Sequence, residues 1–451
     1  MVQAEQAPLT FSNKALLYMI IPAILNNLFS RLVGIVDSVM VSSVGEVAVS
    51  AISLTSSLFM VFTNFVEAFA IGSAVLFAQY LGSRDKEAGE TAVRHSFWLG
   101  LIIASIIALI VIPLATPLMS LVFPGSAPDI RSDGILCLRM SMLYLPFYAI
   151  EQISIYIFIS MGKNKYVMLI NVGKNVMNVL GNALFIHVFH WGLLGALLST
   201  VLSHALFSAL AICLLHNNEL PLHFTRLFPP RLNKQQMGLL FKVCSVTVVE
   251  RALFYMGNLL CASMLSGLSA AEIAANSVSK NFVSIGWAIA FAFSATISSV
   301  VGRCVGADQP DQAKYYTKRL ILPAWGISAV LFLIVFLLRQ SVVNIYDLEA
   351  GTKALAANYV GIGCLLTVFG GHTLVVYYSS AFRAAGDLKF VTVTAIASMF
   401  LSQVALGYIF IFVFKLGVVG FWLGLGADWF FRSIFYTIHF YRGKWLSKKV
   451  I

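Results

Sequence analysis

The sequence predicts an all-α membrane protein with about twelve transmembrane helices in two pseudo-symmetric lobes of six helices each. Hydrophobic residues make up 59% of the 451 residues and charged residues 11%, against about 25% charged residues in a typical soluble domain. Uncharged runs long enough to cross a bilayer recur along the chain, and helices suit them because a helix satisfies its own backbone hydrogen bonds. Several segments of the first half also have similar counterparts in the second half.

Two segments of the first half have counterparts at one shared spacing. QYLG, which ends at Gly82, corresponds to RCVG, which ends at Gly306, and FISMGKNKY around Gly162 corresponds to FRAAGDLKF around Gly386. Both pairs of glycines are 224 residues apart. A shared spacing in well-separated segments indicates a duplicated half. In a membrane chain, two like halves usually hold a substrate site between them.

The predicted spans divide evenly around a polar stretch that is rich in proline and basic residues. We therefore expect an N-terminal lobe at 1–215, a cytoplasmic linker at 216–237 and a C-terminal lobe at 238–451. An even number of spans in each half makes the halves parallel repeats, related by an axis along the membrane normal. In order, the spans lie near 15–43, 50–81, 95–123, 134–161, 166–189, 191–215, 238–266, 272–302, 320–338, 354–382, 390–414 and 417–441.

The placement of positive charge predicts the orientation in the membrane. Most basic residues lie in the loops after even-numbered spans and in the C-terminal tail, for example Arg84, Lys163, Lys318 and Arg442, whereas the loop at 44–49 has none. The positive-inside rule then places both termini in the cytoplasm, with the chain in the plasma (inner) membrane. The net charge of +11 is explained by the basic residues of the cytoplasmic loops. No nucleic-acid partner is expected.

Motifs of soluble enzyme chemistry are missing from the sequence. It contains no GxxxxGK[ST], HExxH or GxSxG pattern, and its six cysteines show no CxxC spacing. Residues 1–13 have no basic segment of the kind that begins a cleavable signal peptide. We expect a protein that is not an enzyme, has no cofactor and no dedicated metal site, and is a monomer by default.

Ionisable residues deep in the predicted spans are the main functional signal. Each costs a few kcal/mol to insert, so each requires a partner, a water-filled cavity or a function. Asp428, Arg432, Glu67 and Glu151 are interpreted mainly as structural or cavity-lining residues. The full set is Asp37, Glu67, Glu151, Lys174, Glu250, Arg251, His372, Asp428 and Arg432.

Asp37 is the strongest candidate for an ion-coupling residue. It follows Pro22 by fifteen residues in the first span, and a proline there should loosen the helix and permit a bend. A single carboxylate in a low-dielectric cavity can take up a proton near neutral pH or hold a monovalent cation. The alternative is that Asp37 is a structural partner of Lys174 or Arg31.

Polar residues of the fifth and sixth spans are weaker candidates. Asn178 and Asn182 lie one helical turn apart and therefore on one face. Two amides near an acid could orient water or bind a cation, although asparagines in membranes commonly join helices by hydrogen bonds. Thr200 in the sixth span is typical of helix packing as well as of ion binding.

Two residues of the second half are also candidates. Glu250 lies in the seventh span beside Arg251 and is either a cavity acid or half of a local ion pair. His372, within the segment GGHT of the tenth span, could titrate near pH 6–7 or could be a packed polar residue.

The ordered set of motifs resembles the multidrug and toxic compound extrusion (MATE) family, of the bacterial type, from about Leu16 to Tyr441. The family has two six-helix lobes and exchanges cationic, amphiphilic compounds for protons or sodium ions. The segments with the resemblance are VDSVMV at 36–41 with Gly45 and Ala51, the loops at Gly82 and 306–313, FRAAGD at 382–387, and 178–186 with Gly192 and Gly195.

The resemblance implies an ion site. The family's ion-site positions match, in this sequence, Asp37, Asn178, Asn182, Thr200, Glu250 and, less closely, His372. Some members have a second aspartate where this chain has Asn182. The amide removes one negative charge, so the resemblance favours protons over sodium as the coupling ion here, with a monovalent cation at Asp37, Asn178 and Asn182 as the alternative.

Other functions compete with that of an ion-coupled exporter of small amphiphilic molecules. A flippase for lipid-linked sugars or lipids belongs to the same superfamily and has the same fold, but it usually has several basic residues in its cavity. Basic residues inside the predicted spans are few, whereas Asp37 and Glu250 favour a cationic substrate. A channel or a receptor is the third interpretation, and duplicated halves with proline and glycine inside the spans favour alternating access instead.

Overall fold

The structure is a computed structural model that describes residues 11–124, 127–223, 233–265, 268–346 and 349–451. These residues form helices and no strand, so the predicted all-α class is confirmed. The helices of the first half are α1 (Asn13–Ser42), α2 (Glu46–Ser83), α3 (Lys86–Val122), α4 (Pro128–Ser160), α5 (Asn164–Asn182) and α6 (Gly192–Leu215). Those of the second half are α7 (Lys234–Leu265), α8 (Ala270–Gly306), α9 (Pro310–Leu337), α10 (Arg339–Val343), α11 (Ala350–Phe369), α12 (His372–Ala385), α13 (Leu388–Ser398) and α14 (Gly417–Arg442).

Nine helical segments of the described residues are long and apolar enough to cross a membrane. The predicted first, fifth and seventh spans, α1, α5 and α7, are long helices that are not among the nine. These helices contain Asp37 (α1), Lys174, Asn178 and Asn182 (α5), and Glu250 (α7). The predicted tenth span is two helices, α11 and α12, separated at Gly370 and Gly371. The prediction of about twelve spans in two lobes is confirmed.

The backbone confirms the duplication independently of the side chains. Among the described residues, four pairs of left-handed backbone conformations recur at a spacing of 224 or 225 residues, whereas Gly45, Gly371 and Gly443 have no such counterpart. The φ angles nearly coincide in three of the pairs, for example 59° at Arg84 and 56° at Asp308, and are 69° and 97° at Gly162 and Gly386. The repeated pairs are Arg84 and Asp308, Gly162 and Gly386, His190 and Lys415, and Gly192 and Gly417. The same loop and turn geometry therefore occurs twice.

Local signals at helix termini explain several of the boundaries. The Asp85 side chain accepts a hydrogen bond from the backbone N–H of Ala88 at 3.0 Å and begins α3. At the start of α8, Ser269 and Glu272 form a capping box. α12 ends at Gly386, whose φ of 97° suits a residue without Cβ.

Large apolar side chains are exposed on the helices that are least buried. α3 and α9, which are related by the repeat, have only 28% of their most apolar segment buried inside the protein. Leucines on these two helices are largely exposed, such as Leu109 at 72% and Leu322 at 72%. Such surfaces are unfavourable in water and suited to the hydrocarbon core of a bilayer.

The chain divides into two compact units. The first unit is Leu17–Val248, and the second unit is Val249–Ile451 together with the start of the chain up to Leu16. The division falls within α7, and the predicted boundaries at 215 and 238 stay a prediction. Part of the predicted linker, residues 224–232, lies outside the described residues.

Each unit has its own apolar core. In the first unit, α2, α3 and α4 contribute fully buried residues such as Met119, Leu138 and Met142. In the second unit, α8, α11 and α14 pack around Val360 and Trp422, which are both completely buried. These rigid cores fix the positions of the helices that hold the polar residues described next.

Candidate functional site

Four predicted site residues of the first unit form one hydrogen-bonded cluster. The side-chain amide of Asn182 donates to Oδ1 of Asp37 at 2.6 Å. With its amide nitrogen turned toward Asp37, Asn178 donates to the same oxygen at 3.0 Å, and its amide oxygen then lies 3.1 Å from the Thr200 hydroxyl. Residues of α1, α5 and α6 are therefore joined at Asp37.

Close packing of α5 and α6 makes this cluster possible. A Cβ at Gly181 would lie 2.3 Å from Oγ of Ser199, so only glycine permits the approach. The Ser199 hydroxyl donates to the backbone carbonyl of Asn178 at 2.8 Å. Directly after Asn182 the helix continues as the π-helix Ala183–Val188. Such π-helical turns are frequent at functional sites, because they rotate side chains out of the α-helical register.

Of the alternatives for Asp37, pairing with Lys174 is wrong. The Lys174 ammonium instead contacts Oε1 of Glu151 at 2.5 Å. The side chain of Arg31, the other proposed partner, lies outside the described residues. Pro22 lies inside α1 and cannot donate a helical hydrogen bond, and its part in a bend stays a prediction.

A second charged cluster lies one helical turn from the first. Glu151 on α4 is fully buried, and its two oxygens are each occupied: one by Lys174, the other by Nδ1 of His204 at 2.9 Å. Lys174 precedes Asn178 by four residues on α5, and His204 follows Thr200 by four on α6. The two clusters thus share the same faces of α5 and α6.

Aromatic side chains enclose this second cluster. The ring of Tyr144 stacks on His204 at 4.6 Å with an interplanar angle of 8°, and Tyr148 meets the same ring edge-on at 5.9 Å. The Tyr148 hydroxyl donates to Glu67 of α2 at 2.9 Å. His204 was not among the predicted site residues, although it follows the candidate Thr200 by four residues.

Glu250 has a different partner from the one the sequence suggested. Its carboxylate binds Arg383 of α12 through two hydrogen bonds of 2.6 and 2.5 Å, and Thr392 of α13 donates to it at 2.9 Å. Arg251 is an exposed side chain. The interpretation of a local Glu250–Arg251 pair is therefore wrong: neighbouring residues on a helix point to different faces.

His372 lies at the helix break of the second unit. It begins α12, directly after Gly371, whose φ is 81°. Its ring lies between those of Trp287, at 5.0 Å, and Trp429, at 4.7 Å. On α14, Asp428, the residue directly before Trp429, is in contact with Arg432 as a buried ion pair.

Glu250 and His372 do not belong to one site. Arg383, which binds Glu250, and His372 stand at opposite ends of α12, eleven residues apart. A helix rises 1.5 Å per residue, so this separation is about 16 Å. The predicted site residues therefore form one cluster in the first unit and two separate locations in the second.

The fold and these clusters define a class of protein. A duplicated bundle of membrane-spanning helices holds buried charges, and these charges are satisfied by residues of neighbouring helices. This combination is typical of membrane transport proteins. The chain belongs to the MatE family, whose model matches residues 22–184 and again residues 247–409. The two matches begin 225 residues apart, in agreement with the repeat.

Known relatives match almost the whole chain. The "Probable multidrug resistance protein NorM" of Thermotoga maritima is 23% identical over 447 residues, which cover 97% of this chain and 94% of that protein. The "Multidrug and toxin extrusion protein 1" of Oryctolagus cuniculus is 25% identical over 424 residues, 91% of this chain and 72% of that protein. The solved "Crystal structure of MATE in complex with MaD3S" matches with a TM-score of 0.86 at 19% identity, covering 97% of both chains.

Proposed function

We propose that the protein is a secondary active exporter of small amphiphilic, cationic compounds. Inward movement of protons would drive export by alternating access. The relatives described as multidrug resistance or extrusion proteins support this substrate class. The protein would act without a cofactor or an enzymatic activity of its own, as a monomer in the plasma (inner) membrane, with the bilayer as its surroundings and no nucleic-acid partner.

The Asp37 cluster is the observation on which the coupling proposal rests. Asp37 is a carboxylate inside a membrane-spanning helix, and two neutral amides donate hydrogen bonds to one of its oxygens. Among the described side chains, no basic group lies within ion-pair distance of Asp37. A carboxylate held by neutral donors can change its charge without breaking an ion pair, which is what a coupling residue requires.

The charge of the cluster supports protons over sodium. A hard cation prefers several oxygen ligands, and its affinity depends on how many of them are charged. Only one carboxylate belongs to the cluster. A proton needs no such set of oxygens because it binds to the carboxylate itself.

Transport from vesicles with imposed gradients tests the function. We expect a fluorescent cationic dye to leave vesicles faster when a proton gradient is imposed than when a sodium gradient is imposed. Empty vesicles are the control. Efflux that ignores both gradients would contradict ion coupling. Movement of a lipid-linked sugar without dye efflux would instead support the flippase alternative.

Labelling of single cysteines tests the topology. We expect Asn218→Cys to react only from the cytoplasmic side and Ser43→Cys only from the opposite side, in a background in which the six native cysteines are replaced. Both positions are exposed, and the basic loops place them on opposite faces. Reaction of both cysteines from the same side would contradict the predicted orientation.

A further inference from the structure

The function proposed above uses Asp37 but gives no role to the second charged cluster of the first unit. That cluster consists of Glu151, Lys174 and His204, and each residue comes from a different helix. Glu151 is completely buried, whereas the side chains of Lys174 and His204 retain 14% and 12% exposure. A fully buried carboxylate is costly unless it is paired. The arrangement therefore depends on the lysine.

The cluster is adjacent to the Asp37 cluster. Lys174 and Asn178 are one turn apart on α5, and their Cβ atoms are therefore about 5–6 Å apart. Thr200 and His204 have the same relation on α6. Without Lys174, the shared face would present two carboxylates, Asp37 and Glu151, together with amide and hydroxyl oxygens.

Such a set of ligands would suit a hard monovalent cation. Carboxylate, amide and hydroxyl oxygens are the ligands that hard cations prefer. In the structure, the ammonium of Lys174 already contacts Oε1 of Glu151 at 2.5 Å. The ammonium places one positive charge where a free cation would bind. Because Lys174 is part of the chain, its ammonium is always close to Glu151 and competes with free cations for this carboxylate.

We propose that Lys174 is a tethered cation that determines which ion drives transport. By neutralising Glu151, it leaves Asp37 as the carboxylate of the two described clusters that has no basic partner, and a single carboxylate serves a proton better than sodium. This inference rests on the proposed ion-coupled export. It makes Lys174 a specificity-determining residue and Glu151 a latent sodium ligand.

Other titratable groups lie near the Glu151 cluster, so the sodium effect should depend on pH. Glu67 approaches through the hydroxyl of Tyr148, Tyr144 stacks on the ring of His204, and Asp37 lies across the two amides. His204 could become the counter-ion of Glu151 if Lys174 were removed. Sodium and protons would then compete for the cluster, so the effect of sodium should grow as the pH rises.

The test compares thermal unfolding of the purified full-length protein in sodium chloride and in choline chloride at equal ionic strength. We expect the wild type to show the same melting temperature in both salts. Lys174→Gln should be stabilised by sodium alone, by about 3 °C when sodium is in hundredfold excess over its dissociation constant. This shift should be larger at about pH 8.5 than at about pH 6.

Two further variants separate ion specificity from a merely structural role. The double variant Lys174→Gln/Glu151→Gln lacks both charges and should lose the sodium response, and Lys174→Arg, which keeps the positive charge, should never gain it. Should Lys174→Gln fail to fold, Lys174→His provides a partner that is cationic at about pH 6 and neutral at about pH 8.5. Sodium should then stabilise it only at the higher pH.

The possible outcomes distinguish this inference from the proposed function. Equal destabilisation of the Lys174 variants in both salts would show that the lysine only holds α4 to α5, and the inference would be wrong. A sodium response in the wild type would also overturn it. If the wild type exports dye under neither gradient, the proposed function fails, whatever the response of the variants to sodium.

Discussion

Replacement of Asp37 by asparagine is expected to abolish gradient-driven efflux and to leave the protein folded. The asparagine keeps one carbonyl oxygen, which can still accept the hydrogen bonds from Asn182 and Asn178. It cannot change its charge. The variant therefore imitates the protonated carboxyl group permanently, and the step in which a proton is released cannot occur.

The size of the effect follows from the cost of a charge inside the membrane. Placing an ionised side chain there costs several kcal/mol, and about 5.5 kcal/mol shifts a two-state population from 1:99 to 99:1. The free-energy change on protonation of Asp37 is thus large enough to shift α1 between two conformations. We expect that proton entry from outside neutralises Asp37, shifts α1 near Pro22 and releases bound substrate.

The measurement is dye efflux from vesicles for each folded molecule, with the amount of folded protein determined separately. Asp129→Asn is a matched control, because Asp129 is an exposed acid at the start of α4 and outside the cluster. It should transport like the wild type. Binding of the cationic substrate to Asp37→Asn should weaken only in part. Wild-type efflux by Asp37→Asn would remove Asp37 from the mechanism.

The membrane spans and the duplication could be predicted from the sequence, because both depend on regular patterns. Long apolar runs indicate spans, and the spacing of 224 residues between Gly82 and Gly306 indicates the duplication. The left-handed backbone at Arg84 and Asp308 shows that the repeat extends to single residues. Composition and periodicity are averages over many residues, so a few irregular positions do not obscure them.

The first-unit cluster was also predictable in part. Asn178 and Asn182 share a helix face by their spacing alone, but nothing in the spacing within α5 shows that this face meets α1. The family resemblance supplied that contact. The sequence left the partner of Asp37 open between Lys174 and Arg31, because ion pairs join residues distant in the chain.

The partners of the buried charges were the least predictable part. The sequence left Glu250 open between a cavity acid and a pair with its neighbour Arg251, but neighbouring residues on a helix diverge by about 100°. Its partner is Arg383, 133 residues further along the chain. His204 was not predicted, because its contact with Glu151 arises only from the packing of α4 against α6.

The Glu250–Arg383 pair leads to the second large effect. Glu250→Gln is expected to reduce the amount of folded protein in the membrane, because the bidentate pair is lost and Arg383 remains with a side chain only 21% exposed. Removing one partner of a buried ion pair typically costs about 3–5 kcal/mol. The remaining amide oxygen can still accept from Thr392, but the two-oxygen contact that joins α7 to α12 is lost.

A double variant and a neighbouring control make this prediction specific. Glu250→Gln/Arg383→Gln removes both charges, and we expect it to recover much of the folded protein, because no uncompensated charge then remains. Arg251→Gln changes an exposed neighbour and should behave like the wild type. The measurements are the melting temperature of the purified protein and efflux for each folded molecule. A Glu250→Gln variant that melts like the wild type but no longer transports would assign Glu250 to the transport mechanism instead, because an uncompensated Arg383 should lower the stability if the ion pair is only structural.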